Sequence, residues 1–261
     1  MTQTFAGTAA GVPYLVVPPS TARPDAPVVV AWHLMDAPRT EAAFAAALPL
    51  DGLDAWRVYL GLPMTGTRSP GAEELQRRGM DDAVLGIYGP VAEQALREVR
   101  PVLSELRPVV GDGPLALVGG SMGAAVAQLV LAEAGLDIAA LVLVSPLVQL
   151  RPLITAAAGT YGFTYSWTPE SDAVADRLDF VARAAELGAP VLAVVGSEDR
   201  AAFRVSAAAL VDALEDSELV TVDGMGHALA DEPGLEPATQ TLHAAEVDTH
   251  AVAWLRRHLD L

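Results

Sequence analysis

The sequence predicts an α/β fold, with a mostly parallel central sheet, helices on both faces and the whole of residues 1–261 in one domain. Three observations carry that expectation. Short, uninterrupted apolar runs such as 27–32 and 190–195 recur along the chain. They lack the in/out alternation of a half-exposed strand, so they fit strands covered on both faces. Longer Ala/Leu-rich segments separate them, as in successive β-α units. Finally, the apolar run 114–118 passes through Gly119-Gly120-Ser121-Met122-Gly123 into the Ala/Leu-rich run 124–131. That order reads as strand, sharp turn and helix, with a serine at the turn.

The remaining elements follow from local pattern. Residues 12–17 read as the first strand, closed by Pro18-Pro19, and 27–32 as a buried strand. A helix is expected at 41–48 and a strand at 56–62. The stretch 63–81 is polar, contains Gly and Pro, and is assigned no element. Residues 82–106 carry a long helical pattern that Gly89-Pro90 is placed to break or kink. A helix at 122–134, a strand at 139–144, a strand at 190–195, a helix at 203–214 and a last strand at 219–222 come next. The final helix, 243–258, sets Val247, Ala251, Trp254, Leu255 and Leu259 near a 3.6-residue period.

Composition narrows the class. The chain has 261 residues, 52% of them apolar, enough for a sizeable core. No run approaches the roughly 18 consecutive apolar residues of a membrane span. Met1-Thr2-Gln3-Thr4-Phe5 has no basic region followed by an apolar one, so no signal peptide is expected. The absence of cysteine excludes disulfides, thiolate metal sites and a cysteine nucleophile, and fits a cytoplasmic protein. A net charge of −17 repels nucleic acid and anionic membrane, so neither is expected as a partner. Richness in Ala, Val, Leu, Gly, Pro and Arg is the composition of a high-GC bacterial source.

Parallel sheets bind ligands beyond the carboxyl ends of their strands, so chemistry is expected in the loops directly after strands. Ser121 occupies one such loop. A serine hydroxyl needs a base, usually a histidine oriented by a carboxylate. His243, His250 and His258 fall in the terminal helix and read as surface or packing residues. His33 follows a buried strand, and His227 follows the last strand within Asp223-Gly224-Met225-Gly226-His227. The two glycines beside His227 allow a turn that aims the ring, which makes it the expected base. Asp199, in Gly196-Ser197-Glu198-Asp199 after strand 190–195, is the expected carboxylate, with Glu198 as the fallback.

The elbow at 119–123, Gly-Ser-Glu-Asp at 196–199 and Gly-Met-Gly-His at 224–227, in that order, resemble the α/β-hydrolase superfamily of serine hydrolases over residues 12–261. The resemblance implies the α/β-hydrolase fold and two-step acyl transfer by Ser121, His227 and Asp199. It also implies an oxyanion hole, with Met122 giving one backbone N–H and the loop His33-Leu34-Met35-Asp36 the other. Leu34 stands where relatives commonly have glycine. That leaves Leu34 or Met35 as the second donor, with Met35 favoured by position. Their side chains are expected to narrow the acyl pocket, and His33 to hold the loop.

Relatives place a cap between the strands at 139–144 and 190–195. With a crossover helix at 172–187, a small cap at 147–170 is left, carrying Tyr161, Gly162, Phe163, Tyr165 and Trp167. These aromatic residues either wall the pocket or pack the crossover against the core. The loop 228–239, with Asp231, Glu232 and Glu236, is expected at the mouth. Arg68, Arg77 and Arg78 either bind an acidic substrate group or are solvated. The expected function is hydrolysis of carboxylic esters with small or medium acyl groups. Peptide or amide hydrolysis, acyl transfer, and non-catalytic binding on the same fold are the alternatives. No phosphate-cradling loop opens a helix and no histidine pair has metal spacing, so neither cofactor nor metal is expected. The expected partner is a small ester or amide, with the chain a monomer or homodimer.

Overall fold

The β-branched runs become the centre of one sheet. The computed structural model describes residues 3–21, 23 and 25–261, so Met1 and Thr2 of the N-terminal segment lie outside the described residues. In chain order the strands are β1 (Phe5–Ala9), β2 (Val12–Val17), β3 (Val28–Trp32), β4 (Trp56–Leu60), β5 (Leu115–Gly120), β6 (Ile138–Val144), β7 (Val191–Gly196) and β8 (Ser217–Val222). They lie side by side as β1-β2-β4-β3-β5-β6-β7-β8. β1 and β2 form an antiparallel hairpin, β2 runs antiparallel to β4, and every later pairing is parallel.

Successive residues of a strand point to opposite faces, and here both faces are buried. Val28, Val30 and Trp32 of β3 enter one core, while Val29 and Ala31 enter the other. The first core is closed by α3 (Gly89–Val110), α4 (Met122–Glu133) and α7 (Ala201–Ala213). The second is closed by α1 (Glu41–Ala47) and α8 (Leu242–His258), the latter through Val247, Ala251, Trp254, Leu255 and the following Leu259. The predicted layer arrangement is therefore the observed one.

Local departures have physical reasons. β1 precedes the first expected strand. Its only large apolar residue is Phe5, and it is recruited by a two-residue turn in which Ala10 and Gly11 both have positive φ. Residues 72–81, given no element from sequence, make up most of α2 (Ala72–Ala83). That helix buries nothing. Glu74 instead pairs with Arg77 and Arg78, one turn away, so no apolar stripe marked it. The break expected at Gly89-Pro90 falls earlier, at Asp82, whose φ of −165° and ψ of 102° are not helical. A five-residue π turn follows, and Pro90 sits in the first turn of α3, where its missing N–H costs no hydrogen bond. The crossover helix expected at 172–187 runs only to Arg177, with turns and a short 3-10 segment at Ala184–Glu186 after it, and a further helix forms upstream in the segment read as the cap. Leu150, Leu153, Ile154 and Ala158 bury one face of α5 (Leu150–Thr160). Thr168 and Ser171 then cap α6 (Pro169–Arg177) reciprocally.

The chain passes from β3 to β4 on one side, then returns to place β5 on the other. The loops after β3 and β5 thus leave the sheet in opposite directions, opening a crevice at this switch point. His33 fixes the β3 loop. It is fully buried, its Nδ1 lies 2.6 Å from the Leu34 carbonyl, and its Nε2 accepts the Leu62 N–H at 3.1 Å. Because a backbone N–H can only donate, the neutral tautomer protonated on Nδ1 satisfies both contacts.

Burial drives the His33 pKa from 6.5 down to about 4, the Leu34 contact opposing and Arg68 assisting. The unfolded chain therefore binds the extra proton between those two values. Stability is complete above pH 6.5 and falls as the pH drops toward 4, by about 3 kcal/mol. His33→Asn should be less stable at neutral pH and should lack this step. Denaturant unfolding of both proteins between pH 7 and pH 4 reads the difference. Parallel stability curves would contradict a buried neutral His33.

Candidate active site

Ser121 links β5 to α4 with φ 48° and ψ −112°. A non-glycine residue there carries on the order of 1–3 kcal/mol of strain, which only a firm surround maintains. The Ser121 N–H donates to the Val144 carbonyl at 2.9 Å, and the Ser121 carbonyl accepts from Ala124 and Leu147. Glycines allow the approach. A Cβ on Gly119 would lie 2.3 Å from the Gly123 carbonyl oxygen, and one on Gly123 would lie 2.3 Å from that of Trp32. The first turn of α4 is thus pressed against the end of β3.

His227 leaves the end of β8 through a turn in which Gly224 has φ 69°. Neighbouring β7 carries the Asp199 loop, and the two loops are joined: Glu198 N–H donates to the Met225 carbonyl, and Gly224 N–H to Ser197 Oγ. Asp199 has a fully buried side chain. Its carboxylate accepts from His227 Nδ1 at 2.9 and 3.0 Å and from the Arg200 N–H at 2.6 Å. With Nδ1 committed to that acceptor, Nε2 is the free lone pair of the neutral ring. It lies 2.8 Å from Ser121 Oγ. Phe203 lies against the imidazole, with ring centroids 4.1 Å apart. Glu198, the fallback, is exposed and bonds His227 with no side-chain atom.

The β3 loop faces this line of groups. Leu34 is fully buried in the core with Val29, Ala31 and Phe44, and its side chain covers Gly120. It therefore does not narrow a pocket, contrary to the sequence expectation. Met35 and Met122 do, because both line the cavity of about 270 Å³ beside Ser121. Ile87, Tyr88, Leu147, Leu153 and Phe203 add to its wall, which Asp36 and Arg200 also border. Burial raises the Tyr88 phenol above its usual range, Arg200 opposing and Asp36 adding, so the hydroxyl stays neutral.

Sequence reasoning missed Asp36. Its carboxylate stands 3.5 Å from His227 Nε2 and 3.8 Å from Arg200. Its place in the same post-strand loop was the available signal. Tyr88 and Phe203 carried no such signal, since they reach the site from a π turn and a helix. The loop 228–239 is tied to the β3 loop: Leu229 N–H donates to the Ala37 carbonyl, Arg39 N–H to Gly234, and Arg39 pairs with Glu232. The candidate anion-binding arginines are engaged elsewhere. Arg68 pairs with Glu98, Arg77 with Glu74 and Asp81, and Arg78 with Glu74. The aromatic segment splits its roles: Tyr165 and Trp167 pack edge to face on each other and against the core, while Tyr161 and Phe163 are exposed.

Comparison with known proteins places this geometry. Residues 87–173 match the serine aminopeptidase S33 family model. No curated protein matches the chain in sequence. Among solved structures, TT1662 from Thermus thermophilus is similar with a TM-score of 0.70 and 22% identity, over 100% of this chain and 99% of that one. Est1E from Butyrivibrio proteoclasticus gives 0.68 and 15%, over 99% of each chain. The dienelactone hydrolase from Anabaena variabilis gives 0.61 and 17%, over 98% of each. Among the described residues, no helix is long and apolar enough to cross a membrane. Sheet order, elbow and comparisons agree on the architecture: the chain has the α/β-hydrolase fold.

Proposed function

We propose that the protein hydrolyses carboxylic esters through Ser121, His227 and Asp199. The observation that carries this reading is the unbroken line from buried Asp199 through His227 to Ser121 Oγ. His227 Nε2 takes the hydroxyl proton as Oγ attacks the carbonyl carbon, and a tetrahedral intermediate forms. Asp199 holds the ring orientation and stabilises the imidazolium. The Met122 N–H, at the start of α4, and the Met35 N–H receive the oxyanion. Met35 is preferred to Leu34 because it borders the cavity while Leu34 is turned into the core. His227 then protonates the alcohol, and water activated by the same nitrogen releases the acid.

Several features support ester substrates of small or medium acyl size. The cavity at Ser121 is modest, with apolar Met35, Ile87, Leu147, Leu153 and Phe203 on its walls beside polar Asp36 and Arg200. Residues 147–170 serve as a small cap on a single hydrolase domain, with α5 and its following loop beside the cavity. The net charge of −17 favours a neutral small molecule over nucleic acid. A similar fold serves a protein described as a dienelactone hydrolase. Amide hydrolysis by the same groups is the second reading, favoured by the match of residues 87–173 to a serine aminopeptidase family.

A fluorophosphonate should label Ser121 in the folded protein and leave Ser121→Ala unlabelled. p-Nitrophenyl butyrate should be hydrolysed, with a loss of several orders of magnitude in Ser121→Ala and about 10⁴-fold in Asp199→Asn. Turnover of aminoacyl anilides alone would favour the amide reading. Near-wild-type ester turnover in Ser121→Ala would move the chemistry to another group.

A further inference from the structure

Beside the Ser121 cavity lies a larger groove of about 820 Å³. One wall is α2, through Gly79, Met80 and Ala83; the other is α5 and its following loop, through Ile154, Ala157 and Phe163. Ala83 borders both spaces, and consecutive residues of α5, Leu153 and Ile154, face the cavity and the groove in turn. The groove thus begins where the serine cavity ends.

Its surface is mostly apolar, Gln76, Thr164 and Ser166 lying in its polar remainder, and its two carboxylates are already engaged. Asp81 is paired with Arg77, and Asp82 accepts the Tyr165 hydroxyl at 2.8 Å and the Leu85 N–H at 2.9 Å. No unpaired charge within it orients a polar ligand. The facing residues Gly79, Ala83, Ala157 and Ala158 are small, which leaves a slot suited to a slender chain. Large apolar side chains stand unburied at this place: Met80 is 78% exposed, Tyr161 81% and Phe163 56%. Apolar surface concentrated beside a reactive cavity marks a ligand site, and the volume lies within the range of such sites. The Tyr165–Asp82 hydrogen bond joins the two walls where α2 loses helical form, and so sets the width of the slot.

We propose that this groove binds a long unbranched alkyl chain, carried on the acyl or the alcohol side of the ester attacked by Ser121. The proposal rests on the ester-hydrolase reading. It extends the substrate range beyond the small and medium acyl groups that the serine cavity alone accommodates. Each methylene that leaves water for the groove raises kcat/KM by up to about fourfold.

The test compares p-nitrophenyl butyrate with p-nitrophenyl dodecanoate, and ethyl acetate with dodecyl acetate, all as monomers in solution. Ala157→Trp fills the slot from α5, and Met80→Glu puts a charge at its exposed rim; neither residue borders Ser121. Wild-type enzyme should prefer the dodecyl member of one pair, and that pair assigns the chain to the acyl or the alcohol side. Ala157→Trp should lose about tenfold or more on that substrate, and Met80→Glu should lose in the same direction. Both should keep butyrate turnover and thermal stability near wild type. Butyrate turnover that depends on Ser121, with no chain-length preference in either pair, would overturn the groove and leave the ester reading intact. An equal loss on short and long esters in a stably folded Ala157→Trp would do the same. Failure to hydrolyse any of these esters would overturn the ester reading and the groove with it.

Discussion

The backbone at Ser121 is the constraint on which the site depends. A positive φ at a serine is unfavourable in isolation, and it lifts Oγ out of the line of β5 toward the imidazole. It persists because the surrounding atoms leave no other path. Gly119 lies against the backbone of Gly123, Gly123 against that of Trp32, and the Ser121 amide is bonded to the end of β6. Any side chain at those glycines would push α4 away from the sheet. The elbow is therefore a property of three neighbouring strands as much as of five residues.

From that point the rest of the site is set by strand order. β3 and β5 are neighbours whose connections diverge, so the crevice opens beside Ser121 and Met35 reaches it. β7 and β8 are neighbours on the far side and bring the Asp199 and His227 loops into mutual hydrogen bonding. Buried His33 holds the β3 loop to the β4 loop, while Ala37 and Arg39 hold its continuation to the loop after His227. Each loop that contributes to the cavity is braced by a loop from another strand. That bracing gives the proposed mechanism donors and acceptors in place before a substrate arrives.

The central architecture was legible because burial on both faces writes itself into sequence as continuous apolar runs. β2, β3, β5, β6 and β7 were placed to within a residue or two, and asking which residues follow strands singled out Ser121, Asp199 and His227, which the fold brings into one hydrogen-bonded line. Elements with no apolar stripe were not legible. α2 is held by ion pairs on an exposed face, and β1 by a tight turn and pairing with β2. α5 did show its helical spacing at Leu150, Leu153, Ile154 and Ala158, but neighbouring glycine and aromatic residues masked it. The direction of Leu34 was beyond the sequence. The loop could have turned either large side chain toward the serine, and packing over Gly120 decided it.

The proposed mechanism makes one geometric claim: an acyl oxygen bound at Ser121 sits between the N–H groups of Met122 and Met35. A crystal structure of the protein inactivated with a small alkyl fluorophosphonate tests it most directly, because the phosphonyl group mimics the tetrahedral intermediate. The expected result is phosphorus bonded to Ser121 Oγ, with one phosphonyl oxygen about 2.7–3.1 Å from both of those nitrogens. An adduct on another residue would contradict the claim, as would a phosphonyl oxygen directed to solvent with neither nitrogen in reach.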